Sequence, residues 1–216
     1  MNPNIEATRL NLFLLVYFYL LEQDLNSREN ALGKIKFQSE EANTDEYLKR
    51  YFQKYLLSNN SIRSTILKYI SLIVDSEKFS VEVAALQNFE IMSVLLPEQL
   101  SDEQKQQIAA SKKSVYTNPD LFLQITDGEN IFFESLELKS TKSNNISGSS
   151  VQQVNPFEWV IFVKRNGGNV TVSTGHYINS ITEKLPFPDR SPRPQIGFNT
   201  LQDWNRKYRK TEDGLY

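Results

Sequence analysis

Residues 159–163 (WVIFV) form a continuously apolar run, which is typical of a strand that is covered on both faces of its sheet. A sheet of this kind needs one apolar layer above it and another below it. The composition provides them, because 39% of the residues are hydrophobic and 12% are aromatic. The length of 216 residues suits one domain, or one core with a helical extension.

Helical patterns precede this strand in the N-terminal half of the chain. Several stretches repeat apolar residues at helical spacing, and Ile62, Ile66 and Ile70 share one such stripe. Ser101 and Gln104 have the spacing of a capping pair and mark the start of a polar surface helix. The patterns predict helices at residues 10–25, 45–57, 61–74, 81–96 and 101–110.

The apolar run at residues 12–21 (LFLLVYFYLL) is too short to span a bilayer. Polar residues follow it instead of a small-residue cleavage site, which favours a buried helix over a targeting segment. The chain contains no cysteine, so disulfides and thiolate zinc sites are excluded, and a cytoplasmic location away from membranes is expected. His176 is the only histidine and is expected to be a surface or packed residue at a strand end. The net charge of −2 excludes a wholly basic surface but not a local basic face.

Strand patterns begin near Val115. Leu121, Leu123 and Ile125 recur at strand spacing, residues 131–139 alternate in their second half, and Asp127-Gly128 between them favours a hairpin turn. A polar stretch at 140–150 follows, then a short helix at about 151–154 and a further strand at 170–173. The expected fold class is α/β, a mixed sheet of four to five strands flanked by helices with an N-terminal helical layer. One domain would contain a helical part (1–75), a catalytic core (76–175) and a basic C-terminal loop and tail (176–216).

Three side chains on this hairpin have the chemistry of a metal-dependent hydrolase. Glu137 and Lys139 lie two residues apart and therefore share one strand face, while Leu136 and Leu138 face the opposite side. If the hairpin pairs about Asp127-Gly128, Asp120 falls across from Glu137. A single Mg²⁺ would then be held by Asp120, Glu137 and the Leu138 carbonyl, and Lys139 would orient the attacking water or balance transition-state charge.

Pro119-Asp120 followed by Glu137-Leu138-Lys139 resembles the signature of the PD-(D/E)xK nucleases, which include many type II restriction endonucleases. The resemblance covers residues 81–173, in the order helix, strand, hairpin strand, short helix, strand. It implies a restriction-endonuclease-like fold, metal binding by the two acids and a water-assisting lysine. Some members add an acid from the preceding helix, for which Glu82 is the first candidate and Glu90 the second.

Other polar segments are candidates for binding double-stranded DNA. Asn and Gln side chains can pair with adenine, and Arg with guanine, in the major groove. Basic residues near the C-terminus are better suited to phosphates, which position the protein without specifying a sequence. The candidates for contacts with phosphates or base edges are Lys142, Ser143, Asn144 and Asn145, followed by Gln152 and Gln153 on the short helix. In the C-terminal part the base-reading candidates are Arg190 and Arg193, and the phosphate candidates are Arg206, Lys207, Arg209 and Lys210.

The predicted function is that of a type II restriction endonuclease that hydrolyses both DNA strands at a short site with Mg²⁺. One centre per chain suggests a homodimer on a two-fold symmetric site, with the N-terminal helices as a hypothetical dimer surface. Two alternatives stay open. One is a structure-specific or repair nuclease of the same fold. The other is a non-catalytic DNA-binding module in which Glu137 and Lys139 are a surface ion pair.

Overall fold

The structure is a computed structural model that describes residues 3–27, 32, 46–62, 67–74, 77–111, 119–148, 155–166, 169–182 and 194–211. Within these ranges the helices are α1 (Pro3–Ser27), α2 (Glu46–Ser58), α3 (Asp102–Ser111) and α4 (Phe198–Tyr208). The strands are β1 (Tyr69–Val74), β2 (Glu77–Glu82), β3 (Glu90–Leu95), β4 (Leu121–Thr126), β5 (Ile131–Thr141), β6 (Asn145–Ser147), β7 (Trp159–Asn166), β8 (Asn169–His176), β9 (Gln195–Gly197) and β10 (Arg209–Thr211). Short 3₁₀ turns lie at Val83–Leu86, Pro97–Gln99 and Tyr177–Ser180.

A five-stranded mixed sheet with the order β3-β4-β5-β7-β8 forms the centre of the fold. β5 and β7 run parallel, and the other neighbouring strands are antiparallel. The prediction of an α/β protein with a mixed sheet of four to five strands is therefore confirmed. Two smaller sheets, β10-β1-β2 and β6-β9, lie beside it.

The hairpin between β4 and β5 turns at Asp127-Gly128, as its sequence predicts. Gly128 has a φ of +95°, a conformation that favours glycine. The Asp127 carboxylate accepts the backbone N–H groups of Glu129 and Asn130 at 3.0 and 2.8 Å, which stabilises the turn. This turn sets the register of the two strands from Thr126–Ile131 to Leu121–Leu136.

One face of the central sheet packs against α1. The apolar run predicted to be a buried helix lies here, and Phe13, Leu14 and Phe18 are fully buried. The Phe18 ring stacks on Trp159 of β7 with centroids 4.6 Å apart. Because these three side chains belong to the core, they do not contribute to the hypothetical dimer surface. No helix within the described ranges has the length and apolar character that a membrane crossing requires.

The opposite face of the sheet is covered in two places. On one side, Ile108 of α3 packs with Phe122 of β4. On the other side, Phe198 and Leu201 of α4 pack against Phe162 of β7. β5 lies between these two small apolar clusters, and its residues on this face are therefore where polar side chains gather.

Two predicted helices are wrong. The segment 61–74 contains β1 from residue 69, and residues 81–96 contain the end of β2, a 3₁₀ turn and β3. β1 pairs on one side with β2 and on the other with β10, from the far end of the chain. The sequence YISLIV is rich in β-branched residues, and pairing on both edges, mainly with the adjacent β2, outweighs the helical stripe. Residues 63–66 lie outside the described part of the chain.

The C-terminal segment is not only a basic loop and tail. Residues 198–208 form α4, and residues 209–211 complete the three-stranded sheet. The helix has an amphipathic pattern in which Phe198, Leu201 and Asn205 are buried. Residues 183–193, where a proline-shaped loop was predicted, and residues 151–154, where a short helix was predicted, lie outside the described residues.

Candidate active site

Glu137 and Lys139 project from the same face of β5, toward the side of the sheet that carries α3 and α4. The neighbouring Leu136 and Leu138 point into the core on the α1 side. Glu137 is 7% exposed and Lys139 is 8% exposed. The Lys139 ammonium lies 2.5 Å from Glu137 Oε1. These residues are therefore a largely buried ion pair and not a pair on an open strand surface.

Asp120 directly precedes β4, and the strand register brings it to Glu137. Leu121 pairs with Leu136, so the next position outward places Asp120 beside Glu137. Asp120 is 6% exposed, and its Oδ2 accepts the backbone N–H of Leu138 at 2.8 Å. The structure thus brings together the three residues that the sequence selected.

Lys49 is a fourth charged residue at this site, and sequence reasoning did not select it. It comes from α2, and its ammonium lies 2.9 Å from Asp120 Oδ1. Its side chain is only 15% exposed. Lys49 follows the buried Leu48 on α2, but a lysine beside an apolar helix stripe is common, so no local signal distinguishes it.

The described contacts of the site therefore join two carboxylates to two ammonium groups. A buried charge is costly without a partner, and here each acid has its own lysine. The two lysines come from different elements: Lys49 lies on α2, and Lys139 lies on β5 together with Glu137.

The donor set fits a hard divalent cation. Mg²⁺ takes oxygen ligands, keeps several waters and is commonly bound through one or two carboxylates. Asp120 and Glu137 supply two carboxylates at adjacent positions. The described residues contain no group of three or more acidic or histidine side chains that could hold a metal ion. Any cation held here would therefore depend on two acids, backbone oxygen and water.

The two candidates for an additional metal-binding acid, Glu82 and Glu90, do not lie on a helix. Glu82 is the last residue of β2 in the three-stranded sheet, and it is exposed. Glu90 begins β3 and pairs with Thr126, at the opposite end of β4 from Asp120. Thr126 and Asp120 are six residues apart along this strand, so Glu90 lies about 20 Å from Asp120 at ordinary strand rise. Glu90 is therefore excluded, and the expectation of an acid on a helix at 81–96 was wrong.

The candidates for phosphate or base contacts are only partly described. Lys142 and Asn144 are exposed in the turn after β5, and Asn145 begins β6. Lys164 of β7, which sequence reasoning missed, donates to the side-chain oxygens of Asn144 and Asn199, at 2.5 and 3.4 Å. Gln152, Gln153, Arg190 and Arg193 lie outside the described residues.

The predicted phosphate contacts divide into exposed and buried residues. Arg206 and Lys207 are exposed on α4, and the side chain of Lys210 is not described. Arg209 was assigned wrongly, because its side chain is 1% exposed and its Nη2 lies 2.8 Å from Glu22 Oε2. It joins α4 and β10 to α1 inside the protein.

His176 lies at the end of β8, as expected, and is packed against Trp159 with ring centroids 4.4 Å apart. Its Nδ1 lies 2.7 Å from the Phe157 carbonyl oxygen. Burial lowers the pKa of His176 below its usual value, because it disfavours the charged ring. His176 is therefore a packing residue.

Comparison with models of known protein families, with characterised proteins and with solved structures found no match.

Proposed function

We propose that this protein is a Mg²⁺-dependent endonuclease of the PD-(D/E)xK type that cuts double-stranded DNA, as type II restriction endonucleases do. The observation that carries the proposal is the convergence of Asp120, Glu137 and Lys139 at one end of the β4–β5 hairpin. All three side chains are largely buried, whereas charged residues on a protein surface are mostly exposed. This burial suits a centre that excludes bulk water.

Each residue has a distinct role in this proposal. Asp120 and Glu137 would hold Mg²⁺, which when bound supplies charge relief on the phosphate and a more acidic water. The N–H and C=O of one strand residue face the same edge. Since the Leu138 N–H points to Asp120, its carbonyl also faces that edge and can serve as a ligand. Lys139, beside Glu137, would orient the attacking water or stabilise the charge that develops on the phosphate.

The order of the elements supports a restriction-endonuclease-like fold. α3 precedes the β4–β5 hairpin, and β7 and β8 follow it in the same sheet. This order fits the resemblance if α3 is the helix that precedes the hairpin, in place of the helix predicted at residues 81–96. The parallel β5–β7 pair requires a crossover, and the short helix expected within it lies outside the described residues.

A polar surface next to the site supports DNA as the substrate. Thr141 of β5 pairs with Lys164 of β7, just beyond the ion pair on Lys139. Lys164 donates to Asn144 there, and the exposed Lys142 lies two residues before Asn144, so phosphate and base contacts would adjoin the cutting centre. Because the described part of the chain has one such centre, cutting both strands would require two copies, and we propose a homodimer.

Incubation of long duplex DNA with the purified protein and Mg²⁺ tests the proposal. We expect discrete fragments that disappear when the metal is chelated. Asp120→Ala and Lys139→Ala should each abolish cutting, whereas Lys54→Ala, on the exposed side of α2, should cut like the wild type.

The other results distinguish the alternatives. Nicking only at branched or damaged DNA would favour a structure-specific or repair nuclease with the same centre. Intact DNA under all conditions would favour a non-catalytic binding module. Undiminished cutting by either alanine variant would remove this site from the reaction.

A further inference from the structure

The Lys49–Asp120 ion pair occupies an atom that the proposed metal centre needs. Asp120 Oδ2 already accepts the Leu138 N–H at 2.8 Å, and Oδ1 lies 2.9 Å from the Lys49 ammonium. A cation that binds through Asp120 Oδ1 would share this oxygen with the ammonium and repel it over a few ångströms.

We propose that Lys49 holds Asp120 in the free protein and exchanges it for a DNA phosphate when the divalent cation binds. The inference rests on the proposed nuclease function and adds a positioning residue to it. α2 is a rigid carrier for this lysine, because Leu48, Phe52 and Leu56 anchor the helix in the core. The long, flexible lysine stem allows the ammonium to move while the helix stays in place.

Charge explains why Lys49 would leave Asp120. In the free protein each of these two ammonium groups lies against one carboxylate. A dication held by the same carboxylates adds two positive charges and repels both ammonium groups over a few ångströms of mostly buried space. Lys49 is the more exposed of the two, at 15% against 9% for Lys139. A phosphate brought to the metal would offer the displaced ammonium a new partner.

The exchange makes metal binding and DNA binding mutually dependent. The cation binds weakly alone because it competes with Lys49 for Asp120. DNA favours the released lysine and so strengthens cation binding, and the cation strengthens DNA binding by the same factor. Lys49 thus lowers the metal affinity of the free protein, whereas a lysine with a purely structural role would not.

Calorimetric titration of the whole chain with Mn²⁺, without DNA, measures this competition. In Lys49→Gln the charge is lost but an N–H donor for Asp120 is kept, and we expect Mn²⁺ to bind about tenfold more tightly or more. Lys49→Arg keeps the charge and should bind Mn²⁺ like the wild type. Lys54→Gln, on the exposed side of the same helix, is the matched control and should also be unchanged. Asp120→Asn should lose Mn²⁺ binding.

The outcomes separate this inference from the proposed function. Equal or weaker Mn²⁺ binding by Lys49→Gln, with binding intact in the wild type, overturns the exchange and leaves the metal centre standing. Absence of Mn²⁺ binding in the wild type and in Lys49→Gln overturns both.

A second measurement does not depend on whether Lys49→Gln folds. In wild-type protein with ¹⁵N-labelled lysine, the Lys49 ammonium resonance is identified by its absence from Lys49→Arg. We expect Mg²⁺ to shift this resonance or remove it through faster exchange with water. A resonance unchanged at saturating Mg²⁺ would show that the ammonium stays on Asp120 and would overturn the exchange.

Discussion

Replacement of Arg209 by methionine tests the most deeply buried charge pair of the protein's described part. The Arg209 and Glu22 side chains are 1% and 2% exposed, and Nη2 lies 2.8 Å from Oε2. The same Glu22 oxygen accepts the Thr174 N–H at 2.8 Å and the Thr174 hydroxyl at 3.0 Å. Arg209→Met keeps the apolar stem but leaves the Glu22 carboxylate without its cation.

The expected cost follows from this burial. Removal of one partner of a buried ion pair leaves an uncompensated charge and lowers the free energy of unfolding by about 3–5 kcal/mol. Arg206→Met is the matched control, because Arg206 pairs with Asp203 on the exposed side of α4, where both side chains are more than half exposed. An exposed pair of this kind contributes about 0–1 kcal/mol.

Urea denaturation followed by tryptophan fluorescence measures both variants. We also expect Glu22→Gln combined with Arg209→Met to recover at least about 1 kcal/mol relative to Arg209→Met alone, since no charge then stays buried. If Arg209→Met costs no more than Arg206→Met, the guanidinium does not compensate Glu22 in the interior, and the reasoning is refuted.

Two further predictions concern the pH dependence and the hairpin turn. His176 has a pKa below its ordinary value of 6.5, so it binds a proton more readily in the unfolded chain, and the free energy of unfolding should fall as the pH is lowered from 7 toward 5.5, by at most about 1.4 kcal/mol per pH unit. His176→Gln should flatten this dependence in denaturation measured across that range, and an unchanged slope would contradict the assignment. Gly128→Ala should lower the unfolding free energy by about 1–2 kcal/mol, because alanine is strained at a φ of +95°. An added Cβ would meet no other atom there, so a steric clash does not contribute. Gly128→Asn should cost less in the same thermal denaturation, and equal losses would show that left-handed strain is not the cause.

Much of the central hairpin could be predicted because its signals are local. Asp127-Gly128 specifies a turn through the φ of one glycine and the hydrogen bonds of one carboxylate. Once the turn is located, strand alternation places Glu137 and Lys139 on one face and Asp120 near them. The capping pair is equally local, since Ser101 and Gln104 exchange the predicted hydrogen bonds at 2.9 and 3.2 Å. The catalytic roles of the hairpin residues stay a proposal.

The sequence by itself determined the features that depend on a few neighbouring residues: the turn, the cap, the buried α1 and the apolar strand β7. Only the tertiary structure decided the features that depend on distant partners. β10 joins the edge of β1 from the far end of the chain, Arg209 is buried because α1 presents Glu22, and Lys49 reaches Asp120 because α2 packs at that end of the sheet. Local periodicity cannot encode these outcomes, because each depends on contacts between segments far apart in the chain.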